Sequence, residues 1–150
     1  MLTKTAPFTP KDENYETRVR EGLARQPFTN TLSMTIERLA PGEIDLAMPY
    51  KEALTQQNGF LHAGIVTAGL DNACGYAAFT LMPADANVLS VEFKTNLLAP
   101  ARGERFRFEG RVIKPGRTIT VAEARAYALD DGDERLVATM TGTMMALPVN

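Results

Sequence analysis

The feature that most constrains the fold is a stretch of small and apolar residues at positions 63–81, which reads AGIVTAGLDNACGYAAFTL. A segment of this length that is apolar on most sides is typical of a helix buried in the core. Its alanines and glycines leave room for a β-sheet to pack closely against it. Its only charged residue is Asp71, near the middle. The sequence therefore predicts one long buried helix that carries one carboxylate.

Alternating apolar residues on both sides of this stretch predict β-strands. Before the helix, strands are predicted at 31–39 and 43–48, with a turn at Pro41-Gly42 between them. After it, strands are predicted at 87–98, 104–113, 118–129 and 135–147. In the strand at 104–113 we expect Phe106, Phe108 and Arg111 to follow the alternation. Strands that follow one another in this way favour an antiparallel sheet.

The first 28 residues read as an N-terminal arm and a short helix. Residues 1–10 are expected to be extended, and a helix is predicted at 11–26 because Tyr15, Val19 and Leu23 form a stripe at four-residue spacing. Pro27 should end it. Residues 1–150 then form a single domain of the α+β class, in which one long helix is wrapped by an antiparallel sheet and a short N-terminal helix is added.

Composition and charge exclude several classes of function. The net charge of −2 and the absence of a basic run give no indication of nucleic acid as a partner. No apolar run approaches the roughly 20 residues of a membrane span, and the N-terminus lacks the apolar core of a signal peptide. The single cysteine, Cys74, fits a reducing compartment, so we expect a cytoplasmic protein. A chain of 150 residues often gains further burial by oligomerising.

Several common chemistries lack their residues. The only serines, Ser33 and Ser90, do not lie in a G-x-S-x-G turn. One histidine, His62, and the lone cysteine make a poor zinc set, and no phosphate-binding glycine loop occurs. We therefore expect neither a metal nor a cofactor. What remains is a carboxylate and a helix N-terminus, a pair that suits chemistry at a carbonyl group.

Each candidate residue has a structural alternative. Asp71 could face a polar cavity or bond to nearby backbone instead of reacting. His62, at the predicted start of the buried helix, could simply cap it. The N–H groups of Ala63 and Gly64 could polarise a carbonyl or bind an anion at this helix start.

The spacing of His62 and Asp71 limits how they could cooperate. Nine residues along one helix correspond to about 13 Å of rise and about half a turn of rotation. The two side chains would lie on opposite faces and could not reach one substrate atom together. If both act at one site, they must come from two copies of the chain.

Four segments in order resemble the phenylacetate-degradation (PaaI-like) hotdog thioesterases. They are QQNGFLHAG followed by LDNA at 56–73, VEFKTNLLAPARG at 91–103, VIKPGRT at 112–118 and ATMTGT at 138–143. The spacing from His62 to Asp71 matches the family motif, and the resemblance covers about residues 43–147.

The resemblance implies a hotdog fold, a homodimer with composite sites, and commonly a homotetramer of such dimers. Asp71 matches the family carboxylate, which acts as general base or nucleophile, and Ser90 matches a residue that can hold the attacking water. On the other chain, Gln56 matches the amide that positions water or the leaving group. The Ala63 N–H matches the donor that polarises the thioester, and His62 matches the histidine that supports the loop.

The match departs from the family at one position and leaves others open. The first glycine of the motif's H-G-G is Ala63 here, which is acceptable if that position does not need a positive φ. Asn58 is a polar neighbour that could contact substrate, although its offset from His62 is not that of the family amide. Lys114 and Arg117, with Arg102, could form a basic rim for the phosphates of CoA, or they could be ordinary solvated turn charges.

The function implied is hydrolysis of a medium-chain or aryl acyl-CoA thioester, with CoA present only as part of the substrate. Two alternatives stay open. One is a hotdog enoyl-CoA hydratase or dehydratase, which pairs a histidine and a carboxylate at other spacing. The other is an acyl-CoA-binding protein without turnover.

Overall fold

A computed structural model describes residues 8–149 and contains three α-helices and six strands. Most of the arm expected at residues 1–10 lies outside the described residues. The helices are α1 (Tyr15–Arg25), α2 (Pro27–Thr31) and α3 (Ala63–Phe79). The strands are β1 (Thr35–Ala40), β2 (Glu43–Pro49), β3 (Ala86–Leu97), β4 (Arg105–Lys114), β5 (Ile119–Asp130) and β6 (Asp133–Pro148). This order confirms the predicted α+β hotdog fold with a short N-terminal helix.

The N-terminal helix is shorter than the predicted span of 11–26, and its stripe buries Val19 and Leu23. Pro27 ends it as expected, but the proline also begins α2, where the first helical position needs no N–H donor. The first strand was predicted to begin too early. Leu32 and Met34 are buried, but they precede β1, because Ser33 between them has a φ of 54° and interrupts extended structure.

The sheet has the strand order β1-β2-β4-β5-β6-β3, with every neighbouring pair antiparallel. Helix α3 packs on one face of this sheet. On β5 the residues that face α3 are small, and four alternate alanines from Ala122 to Ala128 are buried there. Small side chains on both surfaces bring the helix close to the sheet, as its composition predicted.

Two glycines set the closest approach between α3 and β4. A Cβ added at Gly69 would overlap the ring of Phe108, and one added at Gly110 would overlap the backbone carbonyl of Ala73. Gly110 also corrects the predicted alternation along β4. The buried positions are Phe106, Phe108, Gly110 and Val112, whereas Arg111 points outward to an ion pair with Asp45. A glycine at an inward position concealed the two-residue period.

Strand β3 lies at one edge of the sheet and exposes apolar side chains. Leu89, Val91, Phe93 and Leu97 are each more than two-fifths exposed. A bulge occurs between Ser90 and Glu92, so Ser90 pairs with Met144 while Phe93 pairs with Gly142. Cross-strand partners share a face, so the bulge puts Phe93 on the same face as Ser90. Phe93 and Leu97, whose partners Gly142 and Ala138 lie on the helix side of β6, therefore make that side of this edge apolar and open.

Candidate active site

Asp71 lies on the part of α3 that the sheet does not cover, and its side chain is half-buried. Its Oδ1 accepts a hydrogen bond of 2.6 Å from Ser90 Oγ. A short bond from a hydroxyl to a carboxylate is charge-assisted and stronger than one between neutral groups. Asp71 could have faced a polar cavity or bonded to nearby backbone. In the structure it faces a cavity, and the Ser90 hydroxyl is part of the cavity wall.

Ser90 reaches Asp71 because β3 runs beside β6 along the open side of α3. Its Oγ also lies 3.4 Å from the sulfur of Met144, which is a weak acceptor. The contact with the carboxylate is much shorter, so the hydroxyl proton points to Asp71. The structure thus brings together the two residues that the family resemblance assigned to one chain.

The Asp71–Ser90 pair lies in a groove of about 530 Å³ between α1, α3 and β3. This volume is within the usual range for small-molecule sites. Beyond the pair, the walls include Gly22 and Arg25 from α1, Gln26 just after it, and Gly75, Tyr76 and Phe79 from α3. We call this space the acid groove. It gives a ligand access to the carboxylate from solvent.

His62 caps the N-terminus of α3. Its Nδ1 accepts a 2.8 Å hydrogen bond from the N–H of Gly64, one of the donors that a helix start leaves unpaired. The capping alternative is therefore what the structure shows for His62. It also corrects the expectation for Gly64, because its N–H group is already engaged within the chain and is not presented to a ligand.

The backbone N–H of Ala63 is available as a hydrogen-bond donor at the start of α3. It is the first residue of α3, and the described residues other than glycine with positive φ are Ser33 and Asp131. Alanine can therefore stand where the family has glycine. Within residues 8–149 the Ala63 N–H has no protein acceptor, and the residue is exposed. It remains a donor that can point at a bound carbonyl oxygen.

Gln56 lies in the loop before α3, where its side chain shapes a tight turn. Its side-chain Oε1 accepts a hydrogen bond from the backbone N–H of Asn58. The backbone N–H of Gln56 donates to the carbonyl oxygen of Phe60 at 2.9 Å. With Oε1 engaged, the Nε2 group of Gln56 is the part that can donate to a ligand. Asn58 serves this turn through its backbone, and its side chain is exposed.

Gln56 and Ala63 line a second groove, of about 420 Å³, with Val66, Leu97 and Val137 among its other walls. We call it the amide groove. Neither Asp71 nor Ser90 lines it, and neither Gln56 nor Ala63 lines the acid groove. These four predicted site residues thus divide into two pairs that line separate grooves of one chain.

The expected basic rim is not assembled within one chain. Lys114 ends β4 and Arg117 lies in the turn that follows; both are exposed and belong to neither groove. Arg102 lies elsewhere, with Arg135 and three aspartates near the β5–β6 turn.

Cys74 is fully buried, and burial together with the charge of Asp71 raises the pKa of its thiol to about 12. A thiol held neutral in this way is a packing group and a poor nucleophile. Residues 8–149 contain no group of three histidine, cysteine or acidic side chains placed to hold a metal ion. In the same residues, no helix is both long and apolar enough to cross a membrane.

Sequence reasoning missed the contribution of the N-terminal helix. Arg18 of α1 donates to the backbone carbonyls of Phe79, the last residue of α3, and of Met82 and Pro83 just beyond it. Gln26 Nε2 donates to the Tyr76 hydroxyl at 3.3 Å. These bonds hold α1 against α3 and make it a wall of the acid groove. Only the two glycines that face this space, Gly22 and Gly75, offered a signal, and a glycine alone is a weak one.

Comparisons with known proteins agree with this architecture. The family model of the Thioesterase superfamily matches residues 58–134, which include the start of α3, Asp71 and Ser90. The crystal structure of a thioesterase family protein from Silicibacter pomeroyi is 61% identical, with a TM-score of 0.88, and the match covers 89% of this chain and 98% of that one.

Two curated relatives extend the comparison. A Saccharolobus solfataricus protein named "Putative esterase SSO1253" is 34% identical, over 83% of this chain and 81% of its own length. The Escherichia coli protein YigI, named a medium/long-chain acyl-CoA thioesterase, is 23% identical, over 79% of this chain and 84% of its own.

Proposed function

The chain belongs to the thioesterase superfamily, and from this premise we propose that it hydrolyses an acyl-CoA thioester to the free acid and CoA. The observation that carries the proposal is the 2.6 Å bond between Ser90 Oγ and Asp71 Oδ1 in an open groove. The name of the relative YigI supports a CoA ester as the substrate. A cytoplasmic location, expected from the lone cysteine, is part of the same proposal.

In this mechanism Asp71 acts as a general base. Ser90 donates its proton to Oδ1, so the lone pairs of its oxygen can accept from a water molecule, and Oδ2 can accept from the same water. As that water attacks the thioester carbonyl carbon, Asp71 takes its proton. The tetrahedral intermediate then expels the CoA thiolate, which takes this proton from Asp71 to become the thiol, and the acyl group leaves as a carboxylic acid.

The negative charge that develops on the carbonyl oxygen needs donors, and the amide groove supplies them. The Ala63 N–H lies at the positive end of the 17-residue helix α3, and Gln56 Nε2 is a second donor from the preceding loop. His62 is a positioning residue, because its bond to Gly64 fixes the backbone that presents the Ala63 N–H.

A dimer built on β3 would join the acid groove of one protomer to the amide groove of its partner. Ser90 and Leu97 lie near opposite ends of β3, and each lines one of the grooves. An antiparallel pairing of two β3 strands around a twofold axis at Lys94, with Val91 left unpaired at the bulge, sets Ser90 of one chain opposite Leu97 of the other. It also covers the exposed apolar side chains of this edge.

We propose a homodimer with two composite sites on this basis, and a homotetramer as a pair of such dimers. Asp71 and Ser90 then come from one protomer, and Gln56, His62 and Ala63 from the other. Lys114 and Arg117, exposed near the β4–β5 turn, are the proposed contacts for the CoA phosphates.

Release of free thiol from purified protein tests the proposal. The panel is acetyl-, octanoyl-, palmitoyl- and phenylacetyl-CoA, and Asp71→Asn is compared with wild type. We expect kcat for the best substrate to fall by about 10²- to 10⁴-fold. The matched control is Asp131→Asn, the same change at a turn residue with φ of 46°, a conformation that asparagine accepts. An Asp71→Asn enzyme with wild-type kcat would refute the mechanism.

The same preparation separates the two alternatives. Hydration of crotonyl-CoA without thiol release would indicate a hydratase, and tight binding of acyl-CoA with neither reaction would indicate a binding protein. The structure favours hydrolysis over hydration at one point. Because His62 Nδ1 accepts a bond from Gly64, the neutral ring carries its proton on Nε2 and is not poised as a base.

A further inference from the structure

We propose that Asn58 is a site of spontaneous deamidation, and that its modification removes a donor from the amide groove. Asn58 is the one asparagine of the chain that is followed by glycine, and both residues are exposed in the loop before α3. Gln56 lines the amide groove, whereas Asn58 and Gly59 do not. The effect on catalysis rests on the proposed thioester hydrolysis, but the modification itself does not.

The loop around Asn58 is a tight turn exposed to solvent. The Gly59 N–H donates to the carbonyl oxygen of Gln56 at 3.0 Å, so residues 56–59 form a β-turn with Asn58 in its third position. Gly59 has a φ of 80°, a conformation that residues with a side chain rarely adopt. A Cβ built at Gly59 meets no atom within 4 Å. Backbone conformation rather than crowding therefore favours a glycine directly after Asn58.

Deamidation joins the backbone nitrogen of Gly59 to the side chain that precedes it. This nitrogen attacks Cγ of Asn58 and forms an N–C bond, the bond from Cγ to Nδ2 breaks, and ammonia leaves with the proton that the attacking nitrogen gives up. Water then opens the resulting succinimide ring. Opening at Cγ leaves aspartate at position 58, and opening at the main-chain carbonyl leaves isoaspartate, in which the main chain runs through the former side chain.

The local structure makes this attack easier at Asn58 than at other asparagines. Because Gly59 has no Cβ, its nitrogen is unobstructed and its backbone can swing toward the side chain. The hydrogen bond from the Gly59 N–H to Gln56 must open first, but it lies in an exposed turn, where local opening costs least. Asn72 is held in α3 and Asn96 in β3, and residues with side chains follow both. Asn58 should therefore react before them.

The turn that would be modified also holds Gln56 in place. The backbone N–H of Asn58 donates to Gln56 Oε1, which leaves Nε2 as the group that can donate to a bound carbonyl. Isoaspartate lengthens the main chain between position 58 and Gly59, so the two hydrogen bonds to Gln56 cannot keep their geometry together. Both products also add a negative charge two residues from Gln56, and that charge opposes the one that develops on the carbonyl oxygen.

Incubation of the purified protein in warm, mildly alkaline buffer tests the proposal. Peptide mapping by mass spectrometry follows position 58, and thiol release gives the activity of each protein relative to its own starting value. We expect aspartate and isoaspartate to accumulate at position 58 before any other asparagine changes. A site with isoaspartate should lose about 10²-fold in kcat, as for one missing oxyanion donor, so activity should fall in proportion to the modified fraction.

Asn58→Gln is the matched control. It keeps an amide, but its longer side chain must close a larger ring, so this variant should keep its mass and its starting activity through the same incubation. Treating aged wild type with an isoaspartyl methyltransferase and S-adenosylmethionine should return part of the lost activity, because this repair restores the normal main chain. Asp131-Gly132, in the β5–β6 turn, can form isoaspartate without losing ammonia, and the mapping distinguishes the two positions.

The outcomes separate this inference from the proposed hydrolysis. An Asn58 that is still intact when another asparagine has reacted would overturn the modification site. Isoaspartate at position 58 with unchanged activity, or an equal loss of activity in Asn58→Gln, would overturn its effect on the amide groove. If fresh protein releases no thiol from any acyl-CoA, the proposed hydrolysis fails, and the mapping still decides whether Asn58 is modified.

Discussion

Ser90 and Asp71 are 19 residues apart in the chain, yet Ser90 Oγ donates to Asp71 Oδ1 at 2.6 Å. The bond joins the edge strand β3 to the open side of α3. It restrains one oxygen of a carboxylate that lines the acid groove. A reactive group held in one geometry before substrate arrives lowers the entropic part of a barrier.

Removing the Ser90 hydroxyl should weaken catalysis without abolishing it. We expect Ser90→Ala to lower kcat by about tenfold, corresponding to about 1.4 kcal/mol for one charge-assisted hydrogen bond. Ser90→Thr keeps a hydroxyl and suits a strand, so it should recover most of the rate. Steady-state thiol release measures both variants. Equal rates for Ser90→Ala and wild type would show that the bond has no role in turnover.

Mixing two inactive variants tests whether the site is shared. In a dimer of Asp71→Asn with Gln56→Ala, one site carries both changes and the other carries neither. After unfolding and refolding an equal mixture, we expect about a quarter of wild-type activity, because half of the dimers are mixed and each has one intact site. Each variant refolded alone is the control. No recovery in a mixture that forms mixed dimers would place all site residues on one chain.

His62 should be replaceable by a residue that caps equally well. His62→Asn keeps a side-chain acceptor for the Gly64 N–H, so we expect stability near wild type and most of the activity. His62→Leu removes the acceptor and should cost about 0.5–2 kcal/mol of unfolding free energy, with a larger loss in kcat. Urea denaturation and thiol release measure the pair. If His62→Asn is as inactive as His62→Leu, histidine itself takes part in the chemistry.

Two Gly→Ala changes should act in opposite directions on stability. At Gly110 a methyl group would collide with the backbone of Ala73, which cannot move alone, and overpacking of this kind costs about 1–3 kcal/mol or more. At Gly75 a methyl group meets open space within a helix, so Gly75→Ala should gain about 0.5–1 kcal/mol. Thermal unfolding compares them. A destabilised Gly75→Ala would mean that another chain fills that space in the assembled protein.

Alkaline pH should weaken the fold through Cys74. The pKa of its thiol is about 12 in the folded chain and near the ordinary value when unfolded. The folded state thus holds the proton more tightly, so this contribution is complete below pH ~9 and is lost as pH rises, by at most about 1.4 kcal/mol per pH unit.

Unfolding free energies from pH 8 to pH 10.5 check this, with Cys74→Ala as the comparison. The variant should lose less stability over that range, although the raised pKa of Tyr76 leaves some slope. Identical slopes for the two proteins would show that the thiol ionises as easily folded as unfolded.

The local pattern of apolar residues was enough to predict the strands and the buried helix. The helix start at His62-Ala63 and the position of Asp71 followed from composition and spacing, and the six strands followed from alternation. Ser90 was reached through the family resemblance, and the structure supplied its bond to Asp71.

The errors came from positions where a side chain is missing or the period slips. Gly110 concealed an inward position on β4, and the positive φ of Ser33 makes the first strand begin later than predicted. The wall formed by α1 depends on Arg18 reaching carbonyls more than 60 residues away. Such contacts between distant segments leave no periodic trace in a single sequence.

The close approach at Gly69 and Gly110 also fixes the rotational register of α3. Turning the helix about its axis by one residue would drive a larger side chain into β4, so its angular setting has little freedom. Asp71 comes two residues after Gly69, so the two residues lie on opposite sides of α3. The packing of Gly69 against β4 therefore sets the direction in which Asp71 points toward Ser90. Gly69 and Gly110, which lie away from the site, therefore orient the carboxylate of Asp71. The loops around the site can vary without changing that orientation.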